Sequence, residues 1–315
     1  MIAQSVVQIQ ISLRADHSFP IQCILCSRFT NLLVVFLCCG VRVVKAAVFY
    51  NRTRISSETL NWLSREIESH GIATSFCEDG TSCLPARTEV ILTFGGDGTV
   101  LKAVPLAVMN DLPIMSFRVG SVGFLAAFEL SMLHTALDLL LLGKLESVTR
   151  HVMEIEIGDS IRYALNDCVV ERSSPSRTVS FSVNVCGQSS YPVVGDGIVF
   201  ATNTGSTAYS MAAGGALVDP DAGCFQVTPI CPHNPFVGSV VLAASRRVLM
   251  EVRQDKGYPI EVYVDGTFVS NIRTGDKINV GLSEKIVSLL REGSFDFVAL
   301  LKKKLAFGGR LKDDI

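Results

Sequence analysis

Between residues 46 and 145 the chain keeps one rhythm. Short, largely apolar runs at 46–50, 72–76, 90–94 and 113–117 alternate with stretches whose apolar residues recur every three or four positions. The runs predict buried strands and the stretches predict amphipathic helices. Leu60, Leu63 and Ile67 share one helical face, Ser56 and Ser57 offer caps, and Gly71 offers a stop. A helix over 99–109 is expected to be kinked or shortened by Pro105. A further helix is expected from a Ser131 cap to Leu142, closed by Gly143. Strands alternating with helices predict an α/β N-terminal domain, residues 46–145, with a Rossmann-like parallel sheet.

After residue 145 the rhythm changes. Extended segments are expected at 152–157, 161–171, 178–186, 198–201, 240–244, 247–253, 260–264, 268–272 and 277–281. Turn sequences such as Asp265-Gly266 and Thr274-Gly275-Asp276 separate them, and one short helical piece is expected at 206–213. Residues 146–281 therefore predict a mostly-β C-terminal domain. Residues 282–315 form a tail, with a last element near 295–305, expected to return toward the N-terminal domain.

Residues 1–45 stand apart as an N-terminal extension. They hold Arg14, Arg28, Arg42 and Lys45 against one acid, Asp16. The uncharged run 29–41 is 13 residues long, short of the ~20 that a membrane span needs. Four readings stand: an organelle-targeting segment, a membrane-proximal or signal-like segment, a non-native start, or a strand packed on the core. The chain is accordingly expected in the cytoplasm, or in a mitochondrion or plastid if the extension is a targeting segment. Firm membrane evidence is lacking.

With 315 residues and a net charge of −2, the chain can bury one large or two medium cores and carries no basic field. A nucleic-acid partner is not expected. Of ten cysteines, Cys23 and Cys26 form a C-x-x-C with neither a second pair nor a nearby histidine pair. The others sit among apolar residues and predict buried free thiols in a reducing compartment. No metal ligand set is expected in the protein itself.

The chemistry starts where strand 90–94 runs into Gly95-Gly96-Asp97-Gly98-Thr99. Ligands of α/β sheets bind at the carboxyl ends of strands. Three glycines in four residues permit positive φ and close backbone approach, and free N–H groups at a helix start can cradle phosphate. Asp97 is out of place there unless it binds metal or accepts a proton. The alternative is a carboxylate that only stabilises a tight turn. Neither a Walker A sequence nor a Rossmann glycine fingerprint occurs here. The five residues resemble the nucleotide signature shared by NAD kinases, diacylglycerol-type lipid kinases and, more loosely, phosphofructokinases.

Three further motifs narrow the choice. Asn166-Asp167 pairs an amide with a carboxylate, suited to an adenine edge and a ribose diol, or else to a polar turn. Thr204-Gly205-Ser206-Thr207-Ala208-Tyr209-Ser210, followed by Gly214-Gly215, stands at a strand-to-helix junction. It resembles the NAD-binding signature of NAD kinases and has no place in the lipid kinases. Thr228-Pro229-Ile230-Cys231-Pro232-His233 also resembles that family and reads as a rigid proline-bracketed turn in which His233 is structural rather than catalytic.

The resemblance runs from about residue 46 to 281, and it implies roles. Asp97 would be the proton acceptor, in a bed formed by Gly95, Gly96, Gly98 and Thr99, with Gly98 touching the dinucleotide and Lys102 near the phosphates. Phe124 would wall the pocket. Asn166 and Asp167 would bind one nucleoside, and Asp196 would sit near the nicotinamide. Thr207, Ala208, Tyr209, Ser210 and Ala212 would line ribose and base, and Arg177 would contact nucleotide. The substrates implied are NAD and ATP, with Mg²⁺ accompanying ATP, in a homo-oligomer, a dimer or tetramer. The chain departs from the family pattern at Arg118, Val194, Asn203, Gly238-Ser239 and Thr267. Asp265-Gly266 matches a late family motif and reads as a hairpin turn. Two rivals remain, a diacylglycerol- or sphingosine-type lipid kinase and a non-catalytic NAD-binding protein.

Overall fold

The computed structural model describes residues 43–77, 81–120, 123–175, 177–234, 237–293 and 296–305. The C-x-x-C at Cys23 and Cys26 and the uncharged run 29–41 lie outside them.

The N-terminal part is α/β. Strands β1 (Val44–Tyr50), β2 (Ile72–Phe76), β3 (Val90–Gly95) and β4 (Ile114–Arg118) are parallel, in the order β2-β1-β3-β4. Every residue of β3 is buried, as expected of an inner parallel strand. Helix α1 (Ser57–Ser69) starts at Ser56, whose hydroxyl accepts the Thr59 N–H at 3.2 Å, and it buries Leu63 and Ile67. Gly71, at φ +76°, turns the chain out of it.

Helix α2 (Asp97–Asn110) is not shortened at Pro105: it runs on through the proline. Val100, Ala103 and Val104 before it, and Leu106, Ala107 and Val108 after it, are all buried. Packing on both sides offsets the lost hydrogen bond. The Ser131 cap is corrected. Ser131 lies inside a 3₁₀ turn (Leu130–Met132) that follows the short strand β5 (Phe128–Glu129), and helix α3 (Leu133–Leu141) begins after it without a side-chain cap.

The second half is mostly β. Its strands are β6 (Glu146–Ile157), β7 (Ser160–Ala164), β8 (Asp167–Arg172), β9 (Val179–Val185), β10 (Ser190–Gly195), β11 (Gly197–Thr202), β12 (Cys224–Ile230), β13 (Val240–Ala243), β14 (Arg247–Gln254), β15 (Ile260–Val264), β16 (Thr267–Ile272) and β17 (Lys277–Arg291). After β11 come a 3₁₀ turn (Thr204–Thr207) and the one-turn helix α4 (Tyr209–Ala212). Helix α5 (Phe297–Leu305) follows β17.

One sheet has the order β13-β12-β11-β8-β15-β16. The other runs β10-β9-β14-β17 and continues through β17 into β4-β3-β1-β2. Leu289 and Leu290 of β17 pair in parallel with Ile114 and Met115. Phe181, Phe200, Phe225 and Met250 fill the core between the two sheets.

The segment expected as one strand over 161–171 is broken at Leu165-Asn166, between β7 and β8. Thr228-Pro229-Ile230 belongs to strand β12, so the expected turn begins only at Cys231, whose φ is +45°. The thiols also differ from expectation. Cys77 and Cys168 are buried, but Cys83, Cys186 and Cys231 are exposed; all described cysteines are free. Among the described residues no helix is long and apolar enough to cross a membrane.

Candidate active site

β1 leads to α1 and β2 on one side of the sheet, and β3 leads to α2 and β4 on the other. The direction reverses between β1 and β3, and crevices open at the carboxyl ends of strands at such a reversal. Here a cavity of about 480 Å³ opens there. Tyr50 to Arg54, from the end of β1 onward, form one wall, and Gly96 to Thr99, after β3, form the other. Lys102, Gly123 and Lys304 complete it.

Asp97 is the first residue of α2. Its carboxylate accepts the Phe124 N–H at 2.7 Å and the Leu125 N–H at 3.0 Å. Two charge-assisted bonds from consecutive amides fix its orientation. Gly123 makes that approach possible, since a Cβ there would lie 1.9 Å from Asp97 Oδ1. Gly123→Ala must displace the carboxylate or the loop. It is expected to cut turnover about 100-fold, the scale of an ångström's misplacement of a reacting group. A steady-state assay beside a thermal melt checks this, because the melt should barely move.

The glycines of the turn work differently from expectation. None of Gly95, Gly96 and Gly98 has positive φ. Gly95 is required by contact, because a Cβ would meet Thr99 Oγ1 at 2.1 Å. Gly96 and Gly98 have open space before them, Gly96 caps α2 without a side chain, and Thr99 is buried beneath. The turn leaves room for a bulky group at a helix N-terminus, where partial positive charge favours an anion.

A second cavity, of about 400 Å³, adjoins the first through Gly123. Phe124, Arg118, Arg150, Thr204, Thr207 and residues of α5 line it. Asp97 and Thr207 thus line neighbouring cavities that share Gly123. Lys102 and Phe124 each line one.

Asn166 and Asp167 are joined to the 3₁₀ turn, whose Thr204 and Thr207 line the second cavity. Asp265, expected only to make a turn, organises the pair. Its φ of +48° and Gly266 at +74° form the tight hairpin between β15 and β16. Its carboxylate accepts the N–H groups of Leu165 (2.8 Å), Asn166 (2.8 Å) and Asp167 (3.1 Å). On the other side Thr202 N–H donates to the Asn166 carbonyl at 2.9 Å. A Cβ on Gly205 would lie 2.0 Å from that same oxygen. Thr202–Gly205 and Asp265 clamp Asn166 between them. Leu165 packs in one apolar cluster with Leu125 and with Val100 and Val104 of α2, so both motifs rest on shared core.

Two acids lie together here. Burial, then the neighbouring Asp265, raises the Asp167 carboxyl to about 7, opposed by the Tyr209 backbone N–H. Burial raises Asp265 to about 6 against the pull of its three amides. Asp196 pairs with Arg172 at 2.8 Å, and Arg172 also reaches the Arg177 carbonyl. The Arg177 side chain itself is exposed. The Tyr209 hydroxyl donates to Glu171 at 3.3 Å, and burial, then Glu171, raises it. Ala208 caps α4. Ser210 is buried, bonded to the Thr228 hydroxyl at 2.8 Å, and Ala212 is exposed. Asn166, Asp167, Arg177, Asp196 and Tyr209 to Ala212 line neither of the two cavities.

Residues 27–145 match the ATP-NAD kinase N-terminal domain and residues 165–291 the ATP-NAD kinase C-terminal domain. The chain is 32% identical to an NAD kinase of Thermotoga neapolitana, over 85% of this chain and 100% of that protein. The chain belongs to the NAD kinase family. It is also 30% identical to an NAD kinase of Lachnoclostridium phytofermentans, over 82% of this chain and 98% of the relative. Among solved structures, yeast NADH kinase complexed with NADH matches with a TM-score of 0.76 at 20% identity, over 87% of this chain and 90% of that one. An Archaeoglobus fulgidus NAD kinase in complex with ATP matches with a TM-score of 0.65 at 22% identity, over 78% and 93%. At such identities these two establish the shared fold.

The departures from the family pattern now have places. Asn203 is buried; its amide nitrogen donates to the carbonyls of Pro220 and Ala222, and its amide oxygen accepts the Thr204 N–H. It ties loop 220–222 to the turn that clamps Asn166. Arg118 pairs with Glu129 on the wall of the smaller cavity. His233 is exposed, and its backbone N–H, not its ring, bonds the Val194 carbonyl. Nothing in the structure explains Thr267.

Proposed function

We propose that this chain transfers the γ-phosphoryl group of ATP to the 2′-hydroxyl of the adenosine ribose of NAD, giving NADP. The carrying observation is a carboxylate held by two amides at the junction of two cavities, one of them lined by four basic residues against that single acid. Family membership supports the reaction. The residue roles below are inferred from the geometry.

The larger cavity suits the donor phosphates. Arg52, Arg54, Lys102 and Lys304 line it, against one carboxylate, Asp97. The open faces of Gly96 and Gly98 let phosphate oxygens reach backbone amides. Among the described residues no group of three or more His, Cys, Asp or Glu could hold a metal ion. Mg²⁺ therefore fits as part of the ATP substrate, carried mainly by phosphate oxygens, with Asp97 as the near carboxylate. When bound it supplies charge neutralisation to the transferring group.

Asp97 accepts the proton of the 2′-hydroxyl. Its two amide bonds leave carboxylate lone pairs for that hydroxyl while holding the group still. Asn166 and Asp167, fixed by Asp265, hold the adenosine through base-edge and ribose hydrogen bonds. The resemblance to the family assigns Tyr209 and Asp196 to the same substrate. Positioning accounts for most of the rate in such a transfer.

Asn166→Ala should raise the KM for NAD roughly five- to ten-fold, the worth of one or two hydrogen bonds, with the KM for ATP unchanged. An effect confined to ATP contradicts the division of the site. Offering labelled ATP with NAD or with diacylglycerol tests the acceptor; label in the lipid overturns the reading.

A further inference from the structure

The sheet alone does not complete the cation-rich cavity. Helix α5, at the far end of the chain, lays one residue into it. Lys304 lines the cavity with Gly96, Asp97, Gly98 and Lys102. Its ammonium lies 5.5 Å from the centre of the Phe124 ring, and the Phe124 N–H anchors Asp97. Leu301, one turn earlier, is buried and docks the helix, whereas Lys302 is exposed and lines neither cavity. The placement belongs to Lys304 and not to lysines of this helix in general.

Burial lowers the proton affinity of Lys304, and the attraction of Asp97 opposes that. Asp97 already spends its carboxylate on two amides. Among the described residues no carboxylate lies within ion-pair distance of Lys304. A partly desolvated ammonium above an aromatic ring, facing a cavity with one acid and several cations, suits a multiply charged anion.

Resting on the reading of this cavity as the donor-phosphate site, we propose that Lys304 contacts the terminal phosphates of the nucleoside triphosphate, so that α5 completes the donor site. The compact ammonium offers three donors and no acceptor, which suits a phosphate charge more than a nucleoside edge. Phe124 sets its height over the cavity.

Lys304→Gln in the full chain should raise the KM for ATP about ten-fold, the low end for a hydrogen bond to a charged group, and leave the KM for NAD within about two-fold. Inorganic tripolyphosphate, as a competitor of ATP, should lose about ten-fold in potency against the same variant. Lys304→Arg should restore most of both, and Lys302→Gln should match the wild type. If the Gln variant melts early, Lys304→Met, which keeps an unbranched side chain without the charge, replaces it. An unchanged KM for ATP with unchanged tripolyphosphate inhibition overturns the proposal. So does an equal rise for ATP and NAD, which would mark a merely structural lysine. If the wild type makes no NADP, the functional reading fails separately. Calorimetric titration of wild type and Lys304→Gln with tripolyphosphate still decides the lysine, since equal affinities would overturn it.

Discussion

Asp97→Asn should lower kcat by roughly 10²–10⁴-fold, the span of a general base. The KM for both substrates should change little. Asparagine keeps the size of the side chain and one acceptor oxygen, so one of the two bonds from Phe124 and Leu125 survives. The amide cannot take the ribose proton, and its NH₂ faces the other backbone donor. The loss therefore falls on the transition state rather than on binding, and the two kinetic constants separate those cases. Single-turnover rates with saturating ATP and NAD check it. Near-normal turnover would mean that Asp97 serves the turn alone.

Asp265→Ala should have the second largest effect, although the sequence marks this residue only as part of a hairpin turn. The change leaves three N–H groups, of Leu165, Asn166 and Asp167, without their acceptor. Each unsatisfied buried donor costs on the order of 1–3 kcal/mol. Relief of burying the Asp265 charge returns part of that, so a net loss of about 3 kcal/mol is expected. The KM for NAD should rise more than kcat falls, because the Asn166 side chain loses its mount. Denaturant unfolding beside steady-state kinetics checks both, and an unchanged KM for NAD in a folded variant would remove Asp265 from the site.

The same acids set a pH dependence. Asp167 at about 7 and Asp265 at about 6 both sit above the ordinary aspartate value of about 3.9. The folded chain then binds protons more tightly than the unfolded chain. Their contribution to stability is full below about pH 4, falls as pH rises toward 7, and is flat above. Asp265→Asn should flatten that fall in the ligand-free protein. Unfolding midpoints from pH 4.5 to 7.5, a span chosen to bracket both values, measure it.

Local patterns made the first half legible. The apolar run 90–94, the Leu60, Leu63 and Ile67 face and the glycine turn at Asp97 each speak through neighbours in sequence. The second half hid elements whose identity comes from distant partners. Strand β12 contains Pro229, which reads as a turn, yet Pro229 lies opposite Ile198 of β11, and the pairing with β13 ends before it, at Val227. The sequence predicts an end at Gly281, before the polar Ser283-Glu284-Lys285, but β17 shifts register there and pairs on to Arg291. Asp265 meets its three amides across about a hundred residues of sequence, and Lys304 reaches Phe124 across still more. No periodicity encodes such contacts. Asn203 could have been found, since a buried-type position holding an amide instead of the family's proline asks for partners.

The most direct test is the identity of the product. The purified chain, given NAD, ATP and Mg²⁺, is expected to yield a dinucleotide whose new phosphate ³¹P NMR places on the 2′ oxygen of the adenosine ribose and which glucose-6-phosphate dehydrogenase then accepts as NADP. Hydrolysis of ATP without a phosphorylated dinucleotide, or a phosphate on any other oxygen, would contradict the account.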